Sequence, residues 1–204
     1  LGFSSSSDTL GAAVNFASGT LTTNSASGSA YPTGLPIDAW RLISTPAVLN
    51  ETGLTQVFDE LGTQDNTVWR VFRYDDVSNT YKDNPIDLNS TESYWIYQKT
   101  EDNLTMDTPA GKTGDMSGTE ITLKTGWNFI GSPYPFQVPL QLDQVQFYGP
   151  LTYGISGESW SPVVTELDPW NGYVVYNRMS TDQIITLDPS IGSGTTVARK
   201  VEES

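Results

Sequence analysis

An internal repeat is the feature that most limits the folds open to this chain of 204 residues. The segment GWNFIGSPYPF, which begins at Gly126, has a looser copy in AWRLISTPA, which begins at Ala39. Trp127 follows Trp40 by 87 positions, and a second offset of 79 positions holds further along the chain. One structural unit therefore occurs twice, and each copy is expected to depend on the other for part of its core. The pairs at the second offset are Tyr74 and Tyr153, Tyr81 and Trp160, Leu88 and Leu167, Tyr94 and Tyr173, and Tyr97 and Tyr176.

The difference between the two offsets, 87 minus 79, places 8 extra residues in the first copy, between Ala47 and Phe72. This region contains GLTQVFDELG, in which apolar residues recur at the spacing of one helical face. The pattern predicts a short helix with Thr52 as its cap and Gly62 as its end. The apolar positions are Leu54, Val57, Phe58 and Leu61.

Elsewhere each copy consists of short β-branched and aromatic segments separated by turn residues, which predicts a series of strands. Tyr74 and Tyr81, like Tyr153 and Trp160, flank polar turns, and this spacing predicts two hairpins that each hold both rings on one face. The predicted strands of the repeats are 39–44, 68–74, 80–82, 93–98, 104–107, 120–124, 127–130, 151–155, 172–176 and 183–187, with a final edge strand over 195–201.

Composition excludes several classes of function. The chain has no cysteine and no histidine, which removes disulfides, thiol catalysis, histidine-based triads and the usual zinc sites. With 24 acidic and 10 basic residues the net charge is −14, which repels nucleic-acid phosphates and anionic lipid headgroups. The sequence also contains no apolar run of the length that crosses a bilayer, so we expect no membrane insertion.

The abundance of Ser, Thr, Gly, Asn and Tyr in an acidic, cysteine-free chain is typical of exported proteins. We therefore expect the protein at the cell surface or outside the cell. A chain that begins with Leu1 fits either a processed secreted protein or an excised piece of a longer one.

Residues 1–36 resemble neither copy of the repeat. Apolar residues alternate with small ones there, which predicts a strand followed by a second one near Thr20 and then a Gly/Pro/Ser-rich linker. Such a strand cannot be stable alone, so it must add to a sheet of its own chain or of a neighbouring copy. Its position outside the repeats, behind a linker, favours the neighbour, and head-to-tail strand addition then builds a filament. The strand positions are Leu10, Ala12, Val14 and Phe16.

Carboxylates and aromatic rings are the residues of glycosidases, in which one acid protonates the leaving oxygen and the other attacks or activates water. No pair here is singled out by its spacing, and acidic residues in turns are usually solvated, so we expect no catalytic residues and no enzyme activity. The acidic candidates are Asp59, Glu60, Asp75, Asp76, Glu158, Glu166 and Asp168.

Exposed aromatic rings can also stack on sugars. Trp40, Trp127 and Trp160 recur at equivalent positions of the repeat, so we expect them in the core. Trp170 has Thr91 as its counterpart and lies in a DPWNG turn, and two further rings flank prolines after a strand. The residues expected to stack on a glycan, if the chain binds one, are Trp170, Tyr134 and Phe136.

Calcium is a further alternative, because YDDVSNTYKDN gathers Asp75, Asp76 and Asp83 in one loop. Val77 occupies a position where a ligand would be needed, so we interpret the loop as a hairpin turn and expect no metal and no cofactor. Sequons at Asn50, Asn89 and Asn103 permit glycosylation in a host that performs it.

Two motifs carry a resemblance to a known family. Residues 126–133 match G-W-N-[LF]-I-[SG]-x-P and residues 172–176 match G-Y-[WV]-V-Y, with looser copies at 39–46 and 93–97 that lack both glycines. In these motifs the chain resembles the tandem β-modules of secreted bacterial cell-surface proteins over residues 38–190. The hairpins also resemble those of kelch propeller blades, but the diglycine is missing and the period exceeds the roughly 50 residues of that repeat.

Together these observations predict an all-β fold of two related antiparallel β-sandwich-like modules in tandem, preceded by an extended N-terminal strand arm. The expected divisions are the arm and linker over 1–36, the modules over 37–117 and 118–194, and an edge strand and tail over 195–204. The function that we expect is a non-catalytic structural or adhesive surface protein that assembles with copies of itself. The alternative is a carbohydrate-binding module of a secreted multidomain protein, whose partner is an extracellular polysaccharide.

Overall fold

The computed structural model describes residues 34–154 and 158–190, together with the backbone of three short strands at 14–15, 20–21 and 199–200. The fold is all-β, with several antiparallel sheets and one short helical segment. Among the described residues no helix has the length and apolar character needed to cross a bilayer.

The strands follow one another in short segments along the chain. They are β1 (Val14–Asn15), β2 (Thr20–Leu21), β3 (Arg41–Ile43), β4 (Val48–Leu49), β5 (Trp69–Asp75), β6 (Thr80–Asp83), β7 (Tyr94–Gln98), β8 (Gly111–Lys112), β9 (Thr119–Leu123), β10 (Gly126–Ile130), β11 (Val138–Pro139), β12 (Phe147–Leu151), β13 (Glu166–Leu167), β14 (Tyr173–Asn177), β15 (Gln183–Leu187) and β16 (Arg199–Lys200).

The predicted helical insertion is present as helix α1 (Leu54–Val57) followed by a 3-10 turn over Asp59–Leu61. All four predicted apolar positions, Leu54, Val57, Phe58 and Leu61, are buried. The cap prediction was wrong by one residue, because Gly53 occupies the N-cap. Gly62 ends the segment with a φ of 71°, a left-handed conformation that glycine adopts without steric cost.

Two strand predictions fail. Residues 104–107 form no ladder, and Leu104 pairs with Leu35 as an isolated bridge. The strand predicted over 151–155 instead runs over Phe147–Leu151, because the chain continues through Gly149-Pro150 as an irregularity in the ladder. Sequence reasoning treats a Gly-Pro pair as a turn, whereas here it sits in a bulge, one of the places where sheets admit proline.

The first half of the chain is built on the sheet β3-β7-β5-β6. Side chains alternate along β5 and β7, so that Trp69, Val71, Tyr94 and Ile96 enter one buried cluster. The helical segment closes this cluster from the other side with Val57, Phe58 and Leu61.

The second half is built on the sheet β10-β14-β12, which packs its inner face against the sheet β16-β15-β9. Ile130, Tyr173 and Phe147 from the first of these sheets meet the apolar residues of the second in one cluster. The residues that β9 and β15 contribute are Ile121, Leu123, Ile185 and Leu187. The edge position of β16 agrees with the predicted final edge strand.

The described part of the N-terminal arm is a hairpin of β1 and β2. β2 pairs with β8 through Thr20 and Leu21, and β8 also pairs with β4, so the hairpin lies at the edge of a sheet of its own chain. Of the predicted assembly positions, Leu10, Ala12 and Phe16 lie outside the described residues, and for Val14 only the backbone is described.

Strand pairing repeats between the two halves in the register that the sequence offsets predict. Leu42 pairs with Trp95, and their counterparts Phe129 and Val174 pair in the same way. The buried tyrosines repeat as well, since Tyr94 Oη accepts a hydrogen bond from the backbone N–H of Asn89 and Tyr173 Oη accepts one from that of Asp168. Burial is the main cause that raises the pKa of both phenols.

The two halves hold each other through reciprocal backbone hydrogen bonds. The N–H of Ser44 donates to the carbonyl oxygen of Trp170 at 2.8 Å, and the N–H of Gly131 donates to that of Thr91 at 2.9 Å. Gly131 is the repeat counterpart of Ser44, and Thr91 is the repeat counterpart of Trp170. The same holds for Gly172 N–H to Leu42 O at 2.9 Å and Ser93 N–H to Phe129 O at 3.4 Å. Contacts that exchange in this way are those of an approximate two-fold axis.

Small residues meet at this reciprocal contact. A Cβ atom on Gly131 would lie 2.5 Å from the carbonyl oxygen of Glu92 and 2.6 Å from Cβ of its own counterpart, Ser44. A Cβ atom on Gly172 would lie 2.5 Å from Cβ of its counterpart, Ser93. A serine and a glycine therefore face each other at two places where two larger residues could not fit.

We predict that Gly131→Ala and Gly172→Ala each lower the free energy of unfolding by about 1 to 3 kcal/mol, the usual cost of forcing extra atoms into a packed contact. Urea unfolding followed by tryptophan fluorescence measures this. Gly53→Ala is the matched control, since its new Cβ meets the end of the flexible Gln56 side chain and is expected to cost about 1 kcal/mol or less. Two variants as stable as the parent would show that the halves are not held at this contact.

Candidate functional site

Two aromatic hairpins project from the two main sheets. Tyr74 pairs with Tyr81 with ring centroids 5.4 Å apart, and Tyr153 pairs with Trp160 with centroids 5.3 Å apart. Both predicted hairpins are therefore confirmed. Each crosses to the opposite half of the chain, since Tyr74 lies 4.8 Å from Phe129 and Trp160 lies 5.8 Å from Trp95, measured between centroids.

The faces of the two sheets that turn away from the inner clusters are also aromatic. Trp40 packs beside Tyr97 with centroids 5.1 Å apart, and their counterparts Trp127 and Tyr176 pack at 5.0 Å. Where the two outer faces meet, Leu42, Leu151 and Val174 are buried together. Away from that contact the rings are open to solvent, so an aromatic cleft lies between the sheets.

The first cavity of this cleft, which we name the Trp127 cavity, has a volume of about 400 Å³. Sheet β10-β14-β12 forms its floor, and the two hairpins form its walls. Its lining residues are Trp127, Phe129, Tyr148, Leu151 and Val174 from the sheet, with Tyr74, Tyr81, Trp160 and Ser161 from the hairpins.

The second cavity, which we name the Trp40 cavity, has a volume of about 430 Å³. Sheet β3-β7-β5-β6 forms its floor, and the hairpins again form its walls. Its lining residues are Trp40, Phe72, Trp95, Tyr81, Tyr153 and Trp160. Tyr81 and Trp160 belong to both cavities and divide one from the other.

Polar groups lie at the margins of this aromatic surface. Tyr74 Oη donates a hydrogen bond to Asn79 Oδ1, and Tyr97 Oη donates one to Asp38 Oδ1. That bond to Asp38 is the main cause that raises the pKa of Tyr97, because ionisation would set two negative charges side by side. Lys99 Nζ lies 5.8 Å from the centroid of the Tyr97 ring, within the range of cation–π attraction.

The structure corrects the prediction of which rings are exposed. Trp170 is 1% exposed and belongs to the inner cluster of the first half of the chain, and Tyr134 is fully buried. Phe136 is half-buried and packs against Tyr134 and the inner cluster of the second half. Trp170 and Tyr134 therefore have no free ring face for a sugar, because the turns that hold them fold back onto the cores.

The prediction that Trp40, Trp127 and Trp160 are core residues was wrong in the opposite sense. Their exposed fractions are 37%, 40% and 46%. Recurrence in a repeat does not imply burial, because a repeat preserves the outer face of its sheet as well as the inner one. The available signal was the pattern of β10 and β14, in which Trp127, Phe129, Val174 and Tyr176 make the second face as apolar as the first.

The acidic candidates lie away from the cleft or in turns. Asp75 forms an ion pair with Lys82, and this contact is the main cause that lowers the pKa of the partly exposed Asp75 carboxyl to about 2. Asp75, Asp76 and Asp83 do not converge on one point within the described residues. The described carboxylates that do converge are those of Asp59, Glu60 and Asp107, within 4.8 Å of one another.

Asp59, Glu60 and Asp107 lie at the 3-10 turn and the segment facing it. Glu60 Oε1 accepts the backbone N–H of Asp107, while burial raises the pKa of both Glu60 and Asp107. Carboxylate oxygens suit a hard cation, but acidic groups commonly gather without one.

We predict that Trp170→Ala lowers the free energy of unfolding by about 3 to 5 kcal/mol, as for other large aromatic residues in a core. Trp127→Ala is the matched comparison and is expected to cost less than about 2 kcal/mol, because its ring is partly solvated in the parent. Urea unfolding of both variants measures the difference. Equal losses of the free energy of unfolding would show that both rings lie in the core and would contradict an exposed aromatic cleft.

The chain was compared with protein-family models, with curated proteins and with solved structures, and none of the three comparisons found a match. Function is therefore argued from the geometry and chemistry of the cleft.

Proposed function

We propose that the protein is a non-catalytic binding protein of the cell surface that takes a neutral polysaccharide in the Trp127 cavity. The observation that carries the proposal is the set of exposed rings around that cavity. Trp127, Tyr81, Trp160 and Tyr148 are each exposed to solvent, although each is large enough to stabilise a core. Exposed apolar surface gathered in one concave place is typical of a binding site.

Sugar rings suit such a surface because of their own geometry. When every hydroxyl of a pyranose is equatorial, both flat faces present C–H groups and can lie against an aromatic ring. The hydroxyls then point sideways to solvent or to hydrogen-bonding groups at the margin. In the Trp127 cavity the phenol groups of Tyr81 and Tyr148 supply groups of that kind.

Charge supports a neutral sugar. The chain carries a net charge of −14, so its field opposes the approach of uronic acids or sulfated glycans. The described residues that line the Trp127 cavity include no Asp or Glu. A glycosidase needs two carboxylates on either side of the scissile bond, so this lining supports binding rather than hydrolysis.

The proposal includes the architecture expected from the sequence. Residues 37–117 and 118–194 are two related β-sandwich-like modules in tandem, and the binding surface forms where they meet. The reciprocal hydrogen bonds of Ser44, Gly131 and their partners support this division. The exported location remains a proposal that follows from composition and from the resemblance to surface proteins.

We predict that Trp127→Ala weakens binding to a neutral polysaccharide at least about 30-fold, which corresponds to the roughly 2 kcal/mol carried by an interface tryptophan. Pull-down on insoluble cellulose, chitin and xylan identifies the polymer, and affinity electrophoresis with its soluble form measures the loss. Ile86→Ala, which removes an exposed apolar residue outside both cavities, is the matched control and is expected to bind like the parent. Absence of binding by the parent to any neutral polysaccharide would end the proposal.

A second candidate function is a filament subunit that assembles by strand exchange, and the position of the N-terminal hairpin favours it. The hairpin reaches the rest of the chain through two described residue pairs, Thr20 with Lys112 and Leu21 with Gly111. A contact made by backbone hydrogen bonds at a sheet edge is satisfied equally well by the same strands from a neighbouring copy. The Gly/Pro/Ser-rich segment between the hairpin and the first module is of a composition that allows such an exchange.

We predict for this candidate that the parent forms polymers at high concentration and that the double variant Val14→Asp, Phe16→Asp does not, because both changes place charge at apolar positions of the sequence alternation. Electron microscopy and light scattering measure assembly. A variant that lacks residues 1–18 is expected to behave in the same way. A parent that stays monomeric, or variants that still polymerise, would contradict strand exchange without touching the polysaccharide proposal.

A further inference from the structure

The Trp40 cavity is the repeat counterpart of the Trp127 cavity. Trp40 corresponds to Trp127 by the offset of 87, and the other lining residues correspond by the offset of 79. Phe72 corresponds to Leu151, Trp95 to Val174, and Tyr153 to Tyr74. Tyr81 and Trp160 are counterparts of each other, and both line both cavities. Every residue that lines the Trp40 cavity thus has its counterpart in the Trp127 cavity.

We infer that the Trp40 cavity is a second binding site for the same class of neutral polysaccharide, and that one linear chain occupies both cavities at once. This inference rests on the proposed function of the Trp127 cavity. The two cavities share their dividing wall, Tyr81 and Trp160, so a chain that leaves one cavity enters the other directly.

The divider is itself aromatic and exposed, with 52% of Tyr81 and 46% of Trp160 open to solvent. The two rings lie close to the floors of both cavities. The ring centroid of Tyr81 is 6.0 Å from that of Phe129 in one sheet, and the ring centroid of Trp160 is 5.8 Å from that of Trp95 in the other. The stacking surface therefore continues across the wall. A run of sugar rings meets aromatic side chains along the whole cleft.

The approximate two-fold relation between the cavities has a consequence for recognition. A polysaccharide has a direction, and sites related by a two-fold axis meet it in opposite senses. Stacking tolerates this reversal, because an aromatic ring contacts the C–H face of a pyranose whichever way the chain runs. The occupant is thus a β-linked chain of all-equatorial sugars, whose two faces are both apolar, rather than a chain recognised by a fixed set of hydrogen bonds.

The two sites differ in their floors. Phe72 and Trp95 in the Trp40 cavity replace Leu151 and Val174, whereas Phe129 and Tyr148 line only the Trp127 cavity, so each cavity offers six rings to a sugar. A short oligosaccharide is therefore expected to bind the two cavities with similar affinity.

Isothermal titration calorimetry with the disaccharides and hexasaccharides of the glucan, xylan and chitin series tests the inference. For the series that binds, the parent is expected to take two disaccharides, and Trp40→Ala and Trp127→Ala are each expected to take one. The parent is expected to bind one hexasaccharide about 100-fold more tightly than a disaccharide, because the second contact becomes intramolecular. Each single variant is expected to lose most of that gain, while Ile86→Ala keeps it.

Thermal unfolding of each variant, measured alongside, shows that a lost site is not a lost fold. If polysaccharide binds but the parent takes one disaccharide, or if Trp127→Ala removes all disaccharide binding, the second site is wrong and the proposed function stands. If the parent binds neither the polymers nor the oligosaccharides of any of the three series, both the second site and the proposed function are overturned. Self-association of the parent that Trp40→Ala abolishes would also overturn the inference, since the cavity would then be an interface between copies.

Discussion

The reciprocal contact between the two halves is the constraint on which the rest of this structure depends. The last residues of β3 bond to the turn before β14, and the last residues of β10 bond to the turn before β7. Because these bonds join the sheets near strand ends, the outer faces touch over a small apolar area around Leu42, Leu151 and Val174. The other aromatic rings of the two outer faces lie beside this contact and remain at least partly exposed, and the space between them is the cleft.

Much of the fold followed from the sequence because the repeat supplied a register. Offsets of 79 and 87 residues predicted which strands correspond, and aromatic pairs seven residues apart predicted both hairpins. Helix periodicity at 54–61 identified the insertion. These signals are local, so they hold without knowledge of how the halves meet. The two-residue strands such as β4, β8, β11 and β13 carry too few residues for any period to show.

The site could not be predicted in the same way, because exposure is decided by the contact between the halves. The sequence predicts Trp170 on the surface because it departs from the repeat, whereas its ring belongs to the core of the first half. Its φ of 69°, unusual for a residue other than glycine, turns its carbonyl oxygen towards Ser44 while its ring is buried. Recurrence predicts Trp127 in the core, whereas both Trp127 and its counterpart Trp40 lie on the solvent side. Neither outcome is encoded in the spacing of residues along a single strand.

The two proposed functions place different demands on the surface. Strand exchange uses backbone groups at a sheet edge, near Thr20 and Gly111, and needs no exposed ring. It leaves Trp40, Trp127, Tyr81 and Trp160 without a role, although exposed rings in such number promote non-specific association. The net charge of −14 opposes that association between copies of the chain. A neutral polymer is not repelled by this charge, so the proposed polysaccharide is compatible with both the exposed rings and the acidic composition of the chain.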